Sequence, residues 1–188
     1  EFDALFIRET TSVNHHTYRF AQRASAEGLI VIDDPESIIK CTNKVYLAEL
    51  LKHYQIPAPG TVVVSRETVE QSISGMEFPL ILKKPDSSYS QGVIKVDNFQ
   101  DYHEVIYSLL DKSELVIIQE FIPTDYDWRI GILDGKPLYA CRYYMAENHW
   151  QVINWNQKRK SPKHMGDSET LSVEDVPLNV INTAVKAA

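Results

Sequence analysis

FPLILKKPDSSYSQGVIKV, residues 78–96, holds two β-rich runs, 79–83 and 92–96, around a polar loop of small residues, with Lys83 where the first run ends. A strand fixes the Lys83 backbone, so its ammonium can be aimed. The loop offers the hydroxyls and backbone N–H groups of Ser87, Ser88 and Ser90 to anionic oxygens. Such a stretch can hold a phosphate, and it can equally be a plain hairpin with a solvent-facing lysine. The flanking chain has to decide.

Downstream, Phe99, Tyr102, Val105, Ile106, Leu109 and Leu110 predict an amphipathic helix over 99–110. Residues 115–119 read as a buried strand running into Glu120, Phe121, Ile122 and Pro123, where proline takes the chain out of the sheet. A strand that peels away exposes backbone groups able to read the edge of a flat heterocycle such as adenine, or it simply ends at a turn. Residues 128–133 and 137–145 predict a hairpin around Asp134-Gly135. Gly131 to Lys136 imitates a P-loop, but the spacing is one residue short and Pro137 replaces the hydroxyl residue, so that reading fails. Lys158, Arg159, Lys160, Lys163 and His164 lie in an expected loop over 154–170, either solvated or a local anion site, and 173–188 reads as helical.

Upstream, a short helix over 66–74 is closed by Gly75, and 61–64 is a strand. Thr42 is expected to cap a helix carrying Val45, Ala48 and Leu51, which places Lys44 in the first turn. A cation there opposes the helix dipole unless an anion is close. Earlier still come a strand at 29–32, a helix over 15–27 ended by Gly28, and an apolar run at 4–7. The adjacent His15 and His16 are read as an ordinary helix start, because neighbours on a helix point apart and no third metal ligand of suitable spacing is evident.

With 188 residues, 44% hydrophobic and 24% charged, the chain has the make-up of a globular protein with a real core. Nineteen Lys and Arg against 26 Asp and Glu give a net charge of −7, which excludes a nucleic-acid binder working through a broad basic face. Two cysteines without metal-ligand spacing make a disulfide framework and a zinc–thiolate site poor readings, and a reducing, cytoplasmic setting is expected. No apolar run approaches the ~20 residues of a membrane helix.

Lys44 on a helix, Lys83 on a strand, a small polar loop, Glu-Phe-Ile at 120–122 and Asp-Trp-Arg at 127–129 follow one another in an order that resembles the ATP-grasp superfamily. PLILKKPDSSYSQGV and the earlier TNKVYLAELL look most like its RimK-like branch, the glutamate ligases and their relatives near glutathione synthetase. The resemblance implies an ATP-grasp fold, two α+β lobes with nucleotide between them, preceded by a remnant of an α/β domain. The expected divisions are 1–41 for that remnant, 42–114 for the first lobe and 115–188 for an incomplete second lobe. By the same resemblance Lys44 and Lys83 bind ATP phosphates, Glu120, Phe121 and Ile122 form the hinge that receives adenine, and Asp127 lies near the ribose with Arg129 beside it. Residues 87–92, with Ser87 and Ser88, match the loop over the phosphates, although serines and Tyr89 stand where glycines are usual. Arg142 falls on a strand that faces the active centre in the family.

The family takes its magnesium carboxylates and an asparagine from an E-x-N strand and a preceding aspartate, after the helix where these residues stop. No metal ligands are therefore assigned among the 188 residues, Mg²⁺ ligands are expected beyond residue 188, and truncation at both ends is expected. The implied activity is ATP-dependent carboxylate–amine ligation through an acyl phosphate, extending to glutamate addition to the C terminus of a peptide or protein. The partners are ATP, a carboxylate substrate and an amine such as an amino acid or peptide, in a chain free to form a homo-oligomer. Two rivals stand beside it: a module that binds ATP to regulate, without turnover, and a plain α/β interaction domain.

Overall fold

The structure, a computed structural model, describes residues 2–87 and 91–188. Strand β1 (Ala4–Phe6), helix α1 (His16–Ala26) and strand β2 (Ile30–Ile32) make a parallel β-α-β unit in which Leu5 pairs with Val31. Gly28, at φ +85°, takes the left-handed conformation that ends α1 and returns the chain to β2. Ala21, Val31 and Ile38 are the buried centre of this unit.

Helix α2 (Pro35–Thr42) begins where the Asp34 carboxylate accepts the N–H groups of Glu36 and Ser37, with Pro35 in its first turn. The sequence reading passed over this helix, and it corrects the expected cap of the next one, α3 (Lys44–His53). Thr42 is the last residue of α2, its hydroxyl donating to the Ile38 carbonyl at 2.7 Å. The cap is Asn43, whose side-chain oxygen accepts from the N–H groups of Val45 and Tyr46 at 3.0 and 3.1 Å.

Strands β3 (Thr61–Val64), β4 (Leu80–Lys83), β5 (Val93–Val96) and β6 (Val116–Glu120) form an antiparallel sheet in the order β3-β6-β4-β5. The register sorts side chains strictly onto two faces. Val64, Leu80, Leu82, Val96, Val116 and Ile118 point to one, where they bury Tyr102, Ile106, Leu109 and Leu110 of α5 (Phe99–Leu110) and Val69 of the short α4 (Val69–Ser72). Thr61, Val63, Lys83, Ile117 and Gln119 share the other. β6 is hydrogen-bonded between β3 and β4, so this sheet draws on residues on both sides of the division expected between 114 and 115.

The third sheet is β7 (Tyr126–Leu133), β8 (Lys136–Tyr144) and β9 (Ser168–Leu171), all antiparallel. Asp134 and Gly135, at φ 50° and 67°, make the expected hairpin turn. Residues 154–170 are less loop-like than expected, since Ile153 bridges Met165 and β9 pairs with β8. The end of the chain is a short 3₁₀ turn (Val173–Asp175) and, after Pro177, helix α6 (Leu178–Ala187), which packs on β7 and β8. No helix among the described residues is long and apolar enough to cross a membrane.

Candidate functional site

Lys83 closes β4 on the face opposite the core, and Lys44 opens α3 across a cleft of about 750 Å³ lined by both lysines, Thr61, Ile117, Gln119 and the apolar side of α3. The two elements are tied together at the rim: the Lys44 N–H donates to the Pro85 carbonyl at 3.1 Å, and the Lys44 ammonium donates to the Ser87 carbonyl. The Lys83 ammonium donates to the Gln119 side-chain oxygen. Gln119 in turn donates to the Thr61 hydroxyl at 2.8 Å, and Thr61 to the Pro59 carbonyl at 2.7 Å. Three polar groups in series thus fix the angle at which one ammonium enters the cleft.

Burial pushes the Lys44 ammonium below its ordinary value, against the opposing pull of Asp86. Lys83 is lowered as well, first by burial and then by repulsion from Lys44, with Asp127 opposing. Two half-buried cations close enough to repel one another are a liability that a polyanion between them removes.

Asp127, on β7, is close enough for its charge and that of Lys83 to influence one another. Burial raises its pKa, while Arg129 and Lys83 pull it down. Cross-strand pairing puts Asp127 opposite Tyr143 and Arg129 opposite Cys141, and the Arg129 guanidinium lies 4.9 Å above the Tyr143 ring. Arg142 pairs with Trp128 instead, so it sits on the other face of the sheet, stacked on the rings of Tyr126 and Trp128 at 4.9 and 4.8 Å. Arg129 and Arg142 therefore lie on opposite faces of this sheet, by strand alternation.

Glu120 is occupied twice. Its N–H donates to the Gly60 carbonyl at 2.9 Å and its carboxylate accepts the Gly60 N–H at 2.7 Å, which locks the start of β3 to the end of β6. Phe121 follows outside the strand, its ring edge-on to Trp150 at 5.9 Å with the Lys95 ammonium 4.7 Å from its centre. Ile122 is exposed. Ser87 offers its carbonyl to Lys44 and its hydroxyl to the Lys84 carbonyl at 3.1 Å, while Ser88, Tyr89 and Ser90 lie outside the described residues. Lys163 pairs with Glu147 at 2.9 Å, so one charge of the basic 158–164 segment is already met by an acid.

Gln119, Thr61 and Asn43 escaped the sequence reading. Each is set by register or by a helix junction, and the available signal was the single polar residue closing the apolar run Val116-Ile117-Ile118.

The fold has solved counterparts. D-alanine–D-alanine ligase from Bacillus anthracis superposes with a TM-score of 0.70 over 100% of this chain and 60% of that one, at 16% identity. A RimK-domain ATP-grasp protein from Sphaerobacter thermophilus gives 0.63 over 76% and 55%, at 18% identity. In sequence, the alpha-aminoadipate–LysW ligase LysX of Saccharolobus solfataricus is 30% identical over 137 residues, 66% of this chain and 47% of that protein. The glutathione synthetase of Buchnera aphidicola is 26% identical over 146 residues, 73% and 44%. The chain thus spans about half the length of these curated relatives. Residues 41–144, more than half of the chain, match the RimK-like ATP-grasp domain, and they carry both lysines, the sheet that aims Lys83, and Asp127. The chain belongs to the RimK-like ATP-grasp family.

Proposed function

We propose that these residues form the nucleotide-gripping part of an ATP-dependent carboxylate–amine ligase. The observation that carries this reading is the placing of two partly buried lysines on one cleft, Lys44 from the first turn of α3 and Lys83 from the end of β4. ATP phosphates meet both, the Asp127 carboxylate accepts the ribose hydroxyls, and the segment at Phe121 and Ile122 receives the adenine edge. The Glu120 N–H is already given to Gly60, so the residues after it carry that contact.

In the reaction a carboxylate oxygen of the substrate forms a bond to the γ-phosphorus and the bond to the ADP oxygen breaks. The amine then attacks the acyl carbon, inorganic phosphate leaves, and the amine gives up a proton. Such transfer needs charge neutralisation and positioning more than a protein nucleophile, which suits lysines and an arginine. Magnesium, when present, draws charge from the transferring phosphoryl oxygens. Among the described residues, Asp86 takes a hydrogen bond from Asn43 at 3.3 Å, and the Asp127 carboxyl is influenced by the charges of Arg129 and Lys83. LysX and glutathione synthetase, as ligases, favour the same class, and which acid and amine are joined is a question for the full-length protein.

Calorimetry with ADP or a non-hydrolysable ATP analogue tests the grip. Lys83→Ala is expected to weaken binding by about 2 kcal/mol, roughly thirtyfold, and Lys84→Ala by far less, because Lys84 follows the end of β4 and does not line the lysine cleft. Equal losses remove the assignment of Lys83. For the reaction, the full-length protein should release ADP only when a carboxylate and an amine are both supplied; binding without any such turnover would leave a regulatory module.

A further inference from the structure

Residues 8–15, which join β1 to α1, wall a second cleft of about 1410 Å³ together with Cys41, Asn43, Asp86 and Ser87. Glu9 and His15, which line it, and the next residue, His16, bring one ligand atom each to within 4.8 Å of one another. The adjacent histidines do not diverge as two helical neighbours would. His15 is the residue before the helix, extended at φ −123° and ψ 160°, so its ring turns back beside that of His16, with centroids 3.9 Å apart. Glu9, seven residues before His16, supplies the third group that the sequence spacing had hidden, and its Oε2 lies 2.8 Å from His16 Nε2.

We propose that Glu9, His15 and His16 bind one divalent transition-metal ion of the zinc class, with a coordination position left open toward the cleft. Two imidazoles and one carboxylate suit zinc, nickel or copper, whereas magnesium and calcium select all-oxygen sites. The second shell supports it independently. His15 Nδ1 is hydrogen-bonded at 3.2 Å to the hydroxyl of Thr17, which is only 3% exposed, so the ring is oriented from the core and Nε2 is its free nitrogen. A ligating histidine is ordinarily held in this way through its other ring nitrogen. Bonds of ~2.0 Å in a tetrahedral site set ligand atoms ~3.3 Å apart, a closure that three exposed side chains reach by turning. The N-terminus of α1 opposes a cation here, and the Glu9 carboxylate offsets that field. With three protein ligands, the fourth position is left for water or for a donor atom of a molecule in the cleft.

The test uses the metal-stripped 188-residue chain, titrated with Zn²⁺ by calorimetry and with Co²⁺ by absorption. One equivalent of zinc should bind, undiminished by a large excess of Mg²⁺. Glu9→Gln and His16→Ala should each weaken it by at least about tenfold, and Thr17→Val by about tenfold with the far-ultraviolet dichroism unchanged. Glu9 is an exposed loop residue, so its loss of affinity cannot come from unfolding. Absence of zinc binding, or affinity unchanged in Glu9→Gln, overturns the proposal. So does a thiolate-to-cobalt charge-transfer band, which would assign the ion to Cys41 in the same cleft.

Discussion

Lys83 and Lys44 are cations held where charge is disfavoured, and this gives their titration a definite sign. A lysine whose folded pKa lies below its unfolded value destabilises the fold wherever both states are protonated, and stability recovers as pH rises from the depressed folded value toward 10.5. A bound polyanion reverses the preference by favouring the protonated ammonium. Nucleotide affinity is therefore expected to fall as pH climbs through the depressed lysine range, short of 10.5, with proton uptake on binding in that window. Lys83→Arg keeps its charge throughout, so the protein carrying it should show a pH profile shallower by about one proton. A profile as steep as wild type would mean that Lys83 is not the group titrating. Asp127 works the other way: its raised pKa means that ionisation is penalised in the fold, and stability from this group rises as pH falls through its folded value toward 3.8.

Among the elements, those with a complete local signal were read from sequence with little error. Helix α5 over 99–110 has an apolar stripe and an Asn98 cap whose side chain accepts the Asp101 N–H at 3.0 Å, and both ends fell where the pattern put them. Strand β4, the Asp134-Gly135 hairpin and the Gly28 stop were legible for the same reason, because each is specified by neighbours in the chain. Helix α2, the Asn43 cap, β9 and the face taken by Arg142 were not. The first two carry local signals that the reading passed over, Asp34-Pro35 and Asn43, while the last two depend on register and on which segment lies alongside, information that is spread over 29 residues in the case of Cys141 and Thr170. Gly166 is of this second kind. A Cβ there would stand 1.9 Å from the Tyr144 carbonyl oxygen, a backbone atom that cannot swing aside, while the Gly166 N–H is held by the Val152 carbonyl at 2.9 Å. Gly166→Ala should cost about 3 kcal/mol, read as a lowered denaturant midpoint, by forcing this segment off β8. A midpoint within error of wild type would show that the segment yields freely.

For the molecule as a whole, the lysine cleft is an outcome of strand order. Lys83 is aimed by Gln119, thirty-six residues later, and Gln119 is braced by Thr61, fifty-eight residues earlier. None of these contacts could be inferred from composition or periodicity, although the lysine itself could. A chain ending at residue 114 contains β3, β4 and β5 but lacks the strand that joins β3 to β4. It should be unfolded by circular dichroism and show no cooperative transition, whereas a chain ending at residue 125 should regain the four-stranded sheet and a cooperative melt. Cooperative unfolding of the shorter chain would mean that β6 is dispensable to the sheet.

The late arrival of β6 also bears on birth. As the polypeptide leaves the ribosome, three of the four strands emerge with their apolar faces uncovered and two inner edges unpaired, and they stay so through the synthesis of α5. The nascent chain is therefore most in need of a chaperone after Val96 has left the ribosome and before Glu120 has. Cellular ATP cannot shorten that interval by templating the lobe, because the strand that gives Lys83 its direction has not yet been made.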